Sequence, residues 1–586
     1  MAIYTSAKGI SIPTDQNLTE LLHTTARPAL TMTNAAQQQQ QHVIFEDELQ
    51  CRSITLTQLR KTAGQLAAGL NAQFRPTDQS RWAVLLPNSV TIVEAFHAVL
   101  WLGGVVCPIN HQLLPSEIAH ALGVSLPGFI IVYAGILNKI EEAIRILGRS
   151  RNKRDYSPKV IIAMAGDNDQ SNDVSAYPCL ERDFRRSATS NPPPLPVPHY
   201  NDTRNRLASI HLSSGTTGLP KGVGLSQYNY IANVYQLWEH DPDRWTAEES
   251  VLCVTPMVHL ANGTVPFFLG PWVGMRHILM GHYTAEKLGE LVQNSRATTV
   301  QMLPTVLRGV LDARVIERYD FSSVKRILGG HGGLKESERE RLFGRGTGTG
   351  TGKWKLLQMY GLTEAAPWVA VQRVTDGGQG AAGVGVGQLL PGIQARLVLE
   401  NGSDAPRGGP GELWIKGPNV TSGYIDNPDA NKAAFPESGW FNTGDICTIS
   451  SPDNIVSLTG RTKELIKYNS FQVSPNELEV YLGNHPAVRD GAVGPTYDKT
   501  RDTELPTAYV VLRGDLKTSS GRMHALKDIH DHVDRQVSGY KRLRGGVWEV
   551  TEIPRNATSK VLRKSLRAYT TGLCSLPGGP RDGPQL

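Results

Sequence analysis

The stretch SSGTTGLPKG, residues 213–222, decides the fold, and it follows the apolar run 207–212, which predicts a strand. The loop supplies glycines, hydroxyl side chains and Lys221. Its backbone N–H groups and hydroxyls can bind phosphate oxygens, and its glycines let the backbone approach them closely. The Walker A loop is excluded, because Pro220 precedes Lys221 and Gly222 follows it, where that motif has Gly-Lys-Ser or Gly-Lys-Thr. We therefore expect a nucleotide-binding loop of a different fold.

Four further motifs follow this loop in the chain. They are QMYGLTEA at 358–365, GWFNTGD at 439–445, GRTKELIKYNSFQVSPNELE at 460–479 and PRNATSKVLRK at 554–564. Each alone has an ordinary explanation, such as a solvated turn, a helix N-cap or a surface charge pair. Their joint order resembles the signature of the acyl-adenylating superfamily, which includes acyl- and aryl-CoA ligases, luciferases and the adenylation domains of nonribosomal peptide synthetases.

The resemblance implies an α/β fold with two domains. A large N-terminal domain with doubly wound sheets is expected over 1–459, a hinge over 460–463, a small α+β C-terminal lid over 464–570 and a loose tail over 571–586. The sequence from 83 to 133 alternates short apolar strands with helices, which predicts parallel sheet covered on both faces. The predicted strands are 83–86, 105–109 and 129–133, and the predicted helices cover 90–102 and begin again at 116.

The resemblance also assigns a nucleotide site. Tyr360 is expected to stack on adenine, Asp445 to accept the ribose hydroxyls and Lys560 to neutralise charge between the carboxylate and the α-phosphate. The predicted metal ligands are Thr217 and Glu364, since Mg²⁺ takes oxygen ligands together with phosphates. The residues predicted to bind ATP are Ser213, Ser214, Gly215, Thr216, Thr217, Gly218, Lys221, Gly330, His331, Gln358, Met359, Tyr360, Gly361, Thr363, Asp445, Arg461 and Lys560.

Catalytic roles fall to Lys560, Thr363, Glu364 and His259, with His259 also a gate between the acyl pocket and the thiol tunnel. His331 and Met359 are expected to line that pocket.

Both of these residues are bulkier than the small residues common in the family, which should shorten or redirect the cavity. His331 could equally be a hydrogen-bonded core residue. Lys463 is the predicted pivot of the hinge, and the predicted CoA channel comprises Lys467, Ser470 and Phe471. Ser470 stands where the family commonly has glycine.

The function implied is an ATP-dependent acid:CoA ligase, with secondary metabolism as one setting. A carboxylic acid first forms acyl-AMP, and the thiol of CoA then displaces AMP; ATP, Mg²⁺ and CoA are the implied cofactors. Two alternatives stay open. The chain could load its acyl group onto a carrier protein instead of CoA, or it could be a non-catalytic nucleotide- or acyl-binding relative. A carrier protein or a downstream acyltransferase or synthase is the corresponding protein partner.

Composition narrows the class and location. The 586 residues carry a formal charge of only +6, which suits anionic substrates but does not indicate nucleic-acid binding. The six cysteines are scattered without a CxxC pair, as is typical of reduced thiols in an intracellular protein. The apolar run 95–109 is too short for a membrane span. We expect a cytoplasmic or peroxisomal protein, although the C-terminal Pro-Gln-Leu does not support a peroxisomal signal.

Several segments are predicted to be peripheral. These are residues 1–45, with their five-glutamine run, the polar insertions 149–198 and 344–352, and the tail from Thr570. His530 and His532 beside Asp531 are expected on the solvated face of a helix rather than in a metal site.

Overall fold

The computed structural model describes residues 3–6, 8–24, 42–149, 155–164, 176–185, 195–213, 220–329, 354–373, 385–451, 453–461, 464–468, 471–498, 501, 503–514, 518–537, 539–555 and 561–576. Within these ranges, three large β-sheets with helices packed between and around them are followed by a smaller C-terminal sheet. The α/β class predicted from the sequence is confirmed.

The α-helices are α1 Leu18–His23, α2 Leu56–Phe74, α3 Val90–Trp101, α4 Pro115–Ser125, α5 Leu137–Gly148, α6 Gln227–His240, α7 Leu260–Thr264, α8 Gly270–Val273, α9 Ala285–Ser295, α10 Pro304–Asp312, α11 Val315–Arg318, α12 Pro428–Ala434, α13 Pro475–Gly483 and α14 Ser519–Asp534. Short 3₁₀ or π turns cover Ala134–Ile136, Leu180–Arg185, Val265–Leu269, Thr363–Ala365, Gly539–Lys541 and Arg563–Tyr569.

The strands are β1 Tyr4–Thr5, β2 Val43–Asp47, β3 Arg52–Thr55, β4 Arg81–Leu85, β5 Val105–Pro108, β6 Phe129–Tyr133, β7 Lys159–Ala163, β8 Leu207–Leu212, β9 Gly222–Ser226, β10 Ser250–Cys253, β11 Arg276–Leu279, β12 Thr299–Gln301, β13 Arg326–Leu328, β14 Lys355–Leu357, β15 Met359–Gly361, β16 Trp368–Val371, β17 Gly387–Leu389, β18 Gln394–Val398, β19 Gly411–Lys416, β20 Gly423–Tyr424, β21 Phe441–Ile449, β22 Ile455–Arg461, β23 Ile466–Tyr468, β24 Phe471–Val473, β25 Val488–Asp498, β26 Thr503–Leu512, β27 Val547–Val550 and β28 Thr570–Cys574.

Two of the large sheets are mostly parallel. One has the strand order β20-β9-β8-β5-β4-β6-β7, and the other has β14-β13-β12-β10-β11-β2-β3. Antiparallel pairs stand only at edges, at β20–β9–β8 and at β2–β3. The third sheet, β1-β18-β19-β21-β22-β17-β16-β15, is antiparallel.

Helix α3 shows why the two parallel sheets pack together. All twelve of its residues are buried, and it belongs to the core cluster that also contains β4 and β10 side chains. Its one carboxylate, Glu94, is paired with Arg52, whose Nη1 donates to Oε2 at 3.1 Å. A helix that is apolar all round must be covered on every side, so the sheets cover it.

The C-terminal sheet has the order β25-β26-β27-β28 and packs against α13 and α14 with a core of its own. It contacts the larger part of the chain through Asp490, which lies 3.6 Å from Arg308 of α10. Ser474 also donates from Oγ to the carbonyl of Thr459 in β22 at 2.7 Å. The Ser474–Thr459 contact lies next to the predicted hinge. Thr462 and Lys463 fall outside the described residues.

Three peripheral segments were predicted wrongly. Near the N-terminus, β1 joins the antiparallel sheet and α1 buries three leucines, because Asn17 caps the helix and turns its apolar side inward. The insertion 149–198 contributes β7, which extends a parallel sheet. The predicted loose tail begins with β28, which pairs with β27. In each of the three segments, polar residues around a short strand or helix masked its apolar pattern in the sequence. The insertion 344–352 lies outside the described residues.

Candidate functional site

Two hydrogen bonds join the ends of the predicted phosphate loop. Strands β8 and β9, which flank it, form an antiparallel pair. The Ser213 N–H donates to the Lys221 carbonyl at 2.8 Å, and the Lys221 N–H donates to Ser213 Oγ at 3.2 Å. These bonds bring the two ends of the loop together. The predicted ATP ligands Ser214, Gly215, Thr216, Thr217 and Gly218 lie outside the described residues.

Tyr424, which the sequence analysis did not predict as a site residue, contacts both Lys221 and Glu364. It lies in β20, which pairs with β9, and its hydroxyl donates to Glu364 Oε1 at 2.8 Å. The ammonium of Lys221 stands 5.0 Å from the centre of the same ring. Glu364 is only 8% exposed and follows Thr363 in a 3₁₀ turn. Burial and the Glu364 charge raise the pKa of Tyr424, so its hydroxyl stays protonated and donates.

The predicted ribose side is a buried pair in the antiparallel sheet. Tyr360 donates its hydroxyl to Asp445 Oδ2 at 2.7 Å, and the two residues are 6% and 4% exposed. Burial and the Asp445 carboxylate raise the pKa of Tyr360. Asp445 stands opposite Arg461 in the register of β21 and β22. The structure therefore brings the carboxylate and the aromatic ring of two separate motifs together.

The strand that carries Tyr360 is tightly constrained. A Cβ on Gly361 would lie 2.2 Å from the Pro367 carbonyl oxygen, so only glycine fits there. The Gln358 N–H donates to Gln372 Oε1 at 3.0 Å. The thioether of Met359 accepts from Nη2 of Arg244 at 3.4 Å, on the side opposite Tyr360 since neighbouring strand residues alternate.

His259 caps α7 at the predicted acyl gate. Its Nε2 is buried with no hydrogen-bond partner among the described residues, and burial lowers the pKa of its imidazole. Beside it, burial and His259 hold the pKa of His211 at about 3. His211 Nε2 lies 2.9 Å from the Tyr230 hydroxyl, which lies 2.7 Å from Ser209 Oγ. Both imidazoles are therefore neutral at physiological pH.

The remaining predicted residues are not all described. Gly330, His331, Lys463, Ser470 and Lys560 lie outside the described residues, and the side chains of Arg461, Lys467 and Phe471 are not described.

Arg563, three residues after Lys560 in the sequence, contacts two carboxylates. Arg563 reaches Glu464 at 3.2 Å and also contacts Glu479. Burial alone would lower the pKa of Arg563, but the two carboxylates raise it above its ordinary value. Arg563 is thus anchored to Glu464, which directly follows the predicted hinge.

Among the described residues, no group of three or more His, Cys, Asp or Glu side chains could hold a metal ion. His530 and His532 lie in helix α14. None of the described helices is both long and apolar enough to cross a bilayer.

Comparison with known proteins agrees with this geometry. Residues 32–425 match the family model of AMP-binding enzymes, and residues 477–560 match the model of the AMP-binding enzyme C-terminal domain. The chain is 30% identical over 527 residues to the 4-coumarate–CoA ligase CCL1 of Humulus lupulus, which covers 88% of each chain.

Solved structures share the fold. ATP-bound MatB from Rhodopseudomonas palustris superposes with a TM-score of 0.75 at 23% identity, covering 94% of this chain and 98% of MatB. The anthranilate CoA ligase AuaEII, in complex with anthranoyl-AMP, gives a TM-score of 0.77 at 20% identity, covering 95% and 98% of the two chains. On the family models and the sequence relationship, this chain belongs to the AMP-binding enzyme family.

Proposed function

We propose that this chain is an AMP-forming acid:CoA ligase that works through the residues predicted above. One observation carries the proposal. The Lys221–Tyr424–Glu364 contact and the buried Tyr360–Asp445 pair involve neighbouring residues of the same short segment, 360–364. The first offers a cation and a carboxylate suited to phosphates and their metal, and the second offers an aromatic ring and a carboxylate suited to a nucleoside.

In the adenylation step, a carboxylate oxygen of the acid attacks the α-phosphorus of ATP. A bond forms between that oxygen and the α-phosphorus, the bond from the α-phosphorus to the oxygen bridging to the β-phosphorus breaks, and pyrophosphate leaves with that electron pair. Negative charge gathers on phosphate oxygens, where the ammonium groups of Lys221 and Lys560 stabilise it. Asp445 orients the ribose by accepting hydrogen bonds from its hydroxyl groups.

The residues present fit Mg²⁺. Glu364 is a nearly buried carboxylate whose Oε1 is held by the Tyr424 hydroxyl, and a hard cation takes such an oxygen together with phosphate oxygens. Bound Mg²⁺ supplies positive charge that offsets the charge of the phosphates. Thr217 is the other proposed ligand.

In the second step, the sulfur of CoA attacks the carbonyl carbon of acyl-AMP, the C–O bond to AMP breaks, and AMP leaves as a phosphate anion. The neutral imidazole of His259 can accept a proton or hydrogen bond at this point, because burial keeps it unprotonated. Lys467, Ser470 and Phe471 are the proposed border of the CoA channel. A carrier-protein thiol is the alternative acceptor.

The relatives named 4-coumarate–CoA ligases support carboxylic acids of that general kind as candidates and secondary metabolism as a setting. An intracellular location, in the cytoplasm or the peroxisome, is supported by the cysteines. All six are free thiols, and five of them are buried.

The test is a screen of acid-dependent pyrophosphate release from ATP, run with a panel of carboxylic acids, with and without CoA. We expect release with some acid, together with CoA-dependent formation of AMP and a thioester. Release without thioester formation would point to a carrier protein as acceptor. Absence of acid-dependent release across the panel would refute adenylation.

A further inference from the structure

Arg244 is a buried cation in the turn that follows α6. It is only 3% exposed, and its guanidinium carbon lies 4.3 Å from the centre of the Trp245 ring. Trp245 is itself fixed, because its indole N–H donates to the Leu237 carbonyl at 2.9 Å. The position of the guanidinium is therefore set by the surrounding fold.

The hydrogen bonds of Arg244 are incomplete. Nη2 donates to the Met359 sulfur at 3.4 Å, and a thioether is a weak acceptor. Nη1 is buried and has no hydrogen-bond partner among the described residues, which also place no carboxylate within ion-pair distance of the guanidinium. A buried charge without a full set of partners is costly, so such an arrangement needs a compensating function.

The carboxylates nearby do not supply the missing partner. Burial lowers the pKa of Arg244 to about 9, with Asp241 and Glu249 opposing and Arg326 adding to that effect. The side chain is still a cation at neutral pH. Glu249 is bound to Arg326 at 2.7 Å and to Lys325 at 3.2 Å. Of the two carboxylates that oppose the effect of burial on Arg244, Glu249 is thus already paired with two other cations.

Arg244 lies next to the residue predicted to form the floor of the acyl pocket. Its partner Met359 is the predicted floor of the acyl pocket, and the next residue, Tyr360, holds the nucleotide-side carboxylate Asp445. Met359 pairs with Val371 in β15–β16, and His240 bonds the Val371 carbonyl at 2.9 Å. The end of α6 and the turn after it therefore pack against this strand pair beside Met359.

We propose that Arg244 determines specificity for acids that carry a second carboxylate at the end far from the reacting one. The inference rests on the proposed function and names its substrate class. A guanidinium presents parallel N–H donors that match a carboxylate. The unbranched Met359 side chain can move aside, and a carboxylate oxygen replaces its sulfur as acceptor while taking the free Nη1 donor.

The test compares acids that differ only in terminal charge. Dicarboxylic acids of four to eight carbons are paired with their monoamides, and 4-carboxycinnamic acid is paired with neutral 4-nitrocinnamic acid. The readout is kcat/KM for acid-dependent pyrophosphate release. We expect the wild type to favour the better diacid over its neutral partner by about ten- to hundredfold. Arg244→Gln should bring that ratio close to one, and Arg244→Lys should retain part of it.

The control is Arg145→Gln, which removes an exposed cation from the last turn of α5 and should leave the ratio unchanged. Melting temperatures show whether the Arg244 variants fold. A wild type that prefers neutral acids, or an Arg244→Gln variant that folds and keeps the preference, would overturn the inference. The wild-type comparison decides even if both variants fail to fold. If none of the acids supports pyrophosphate release, the proposed function itself has failed.

Discussion

Substitution of Tyr424 by Phe tests whether this tyrosine positions the phosphate side of the site. The change removes one oxygen atom and leaves the ring, so the aromatic face beside Lys221 is retained. What is lost is the 2.8 Å hydrogen bond to Glu364 Oε1. Because Glu364 is 8% exposed, water does not readily replace the missing donor.

The size of the effect follows from the charge of the acceptor. A hydrogen bond to a charged group contributes about 1.5–3 kcal/mol, and about 1.4 kcal/mol corresponds to a factor of ten. If Glu364 binds the metal in the proposed way, kcat/KM for adenylation should fall about ten- to hundredfold. Half-saturation should also need more Mg²⁺, since the carboxylate loses the hydrogen bond from Tyr424.

The assay is acid-dependent pyrophosphate release as a function of Mg²⁺ concentration, with the melting temperature measured in parallel. The matched control is Tyr177→Phe, which removes a hydroxyl that also donates to a glutamate at 2.8 Å, but on the exposed surface. The control should stay within about twofold of wild type, as exposed polar contacts contribute little. An unchanged rate and an unchanged Mg²⁺ dependence in a folded Tyr424→Phe variant would refute the positioning role.

Three further predictions follow. Lys560→Ala should abolish pyrophosphate release yet leave thioester formation from supplied acyl-AMP largely intact, and equal loss in both assays would remove Lys560 from adenylation. Gly361→Ala should lower stability by about 1–3 kcal/mol through overpacking against Pro367, whereas the control Gly128→Ala, with no atom near its Cβ, should not; calorimetric melting distinguishes them. Acid should destabilise the fold, because the pKa of five buried histidines lies at about 4, or about 3 for His211, against 6.5 when unfolded. Unfolding then takes up protons as pH falls through the window from 6.5 to 4, and each histidine lowers the free energy of unfolding by roughly 1 kcal/mol at pH 5.5. A melting temperature no lower at pH 5.5 than at 7.5 would contradict this; the residues are His97, His111, His211, His240 and His277.

Local sequence patterns were sufficient to predict several strands and helices of the parallel sheet that contains β8. The predicted strands 207–212 and 129–133 coincide with β8 and β6, and the helix predicted from 90 to 102 ends one residue earlier. These segments are continuous apolar runs bounded by turn residues, so burial and secondary structure agree. Tyr360 and Asp445, which belong to two separate motifs, are in contact.

Contacts between distant segments could not be predicted in the same way. Tyr424 lies in a two-residue strand with no periodic signal, and its partner Glu364 is 60 residues away. Arg244 reads as an ordinary charged turn residue until the structure shows that the turn is covered by β15. In both cases the chemistry depends on which strands pair, and single-residue patterns carry no information about that pairing.

The arrangement around Tyr424 also suggests how the site is kept ready for a highly charged substrate. A lone lysine or glutamate in a partly buried site would pay for desolvation, but here one ring contacts Lys221 through its face and Glu364 through its hydroxyl. Lys221 and Glu364 thus contact the same tyrosine. In the proposed mechanism each engages the phosphates or their metal from the position it holds there, so less reorganisation opposes the reaction.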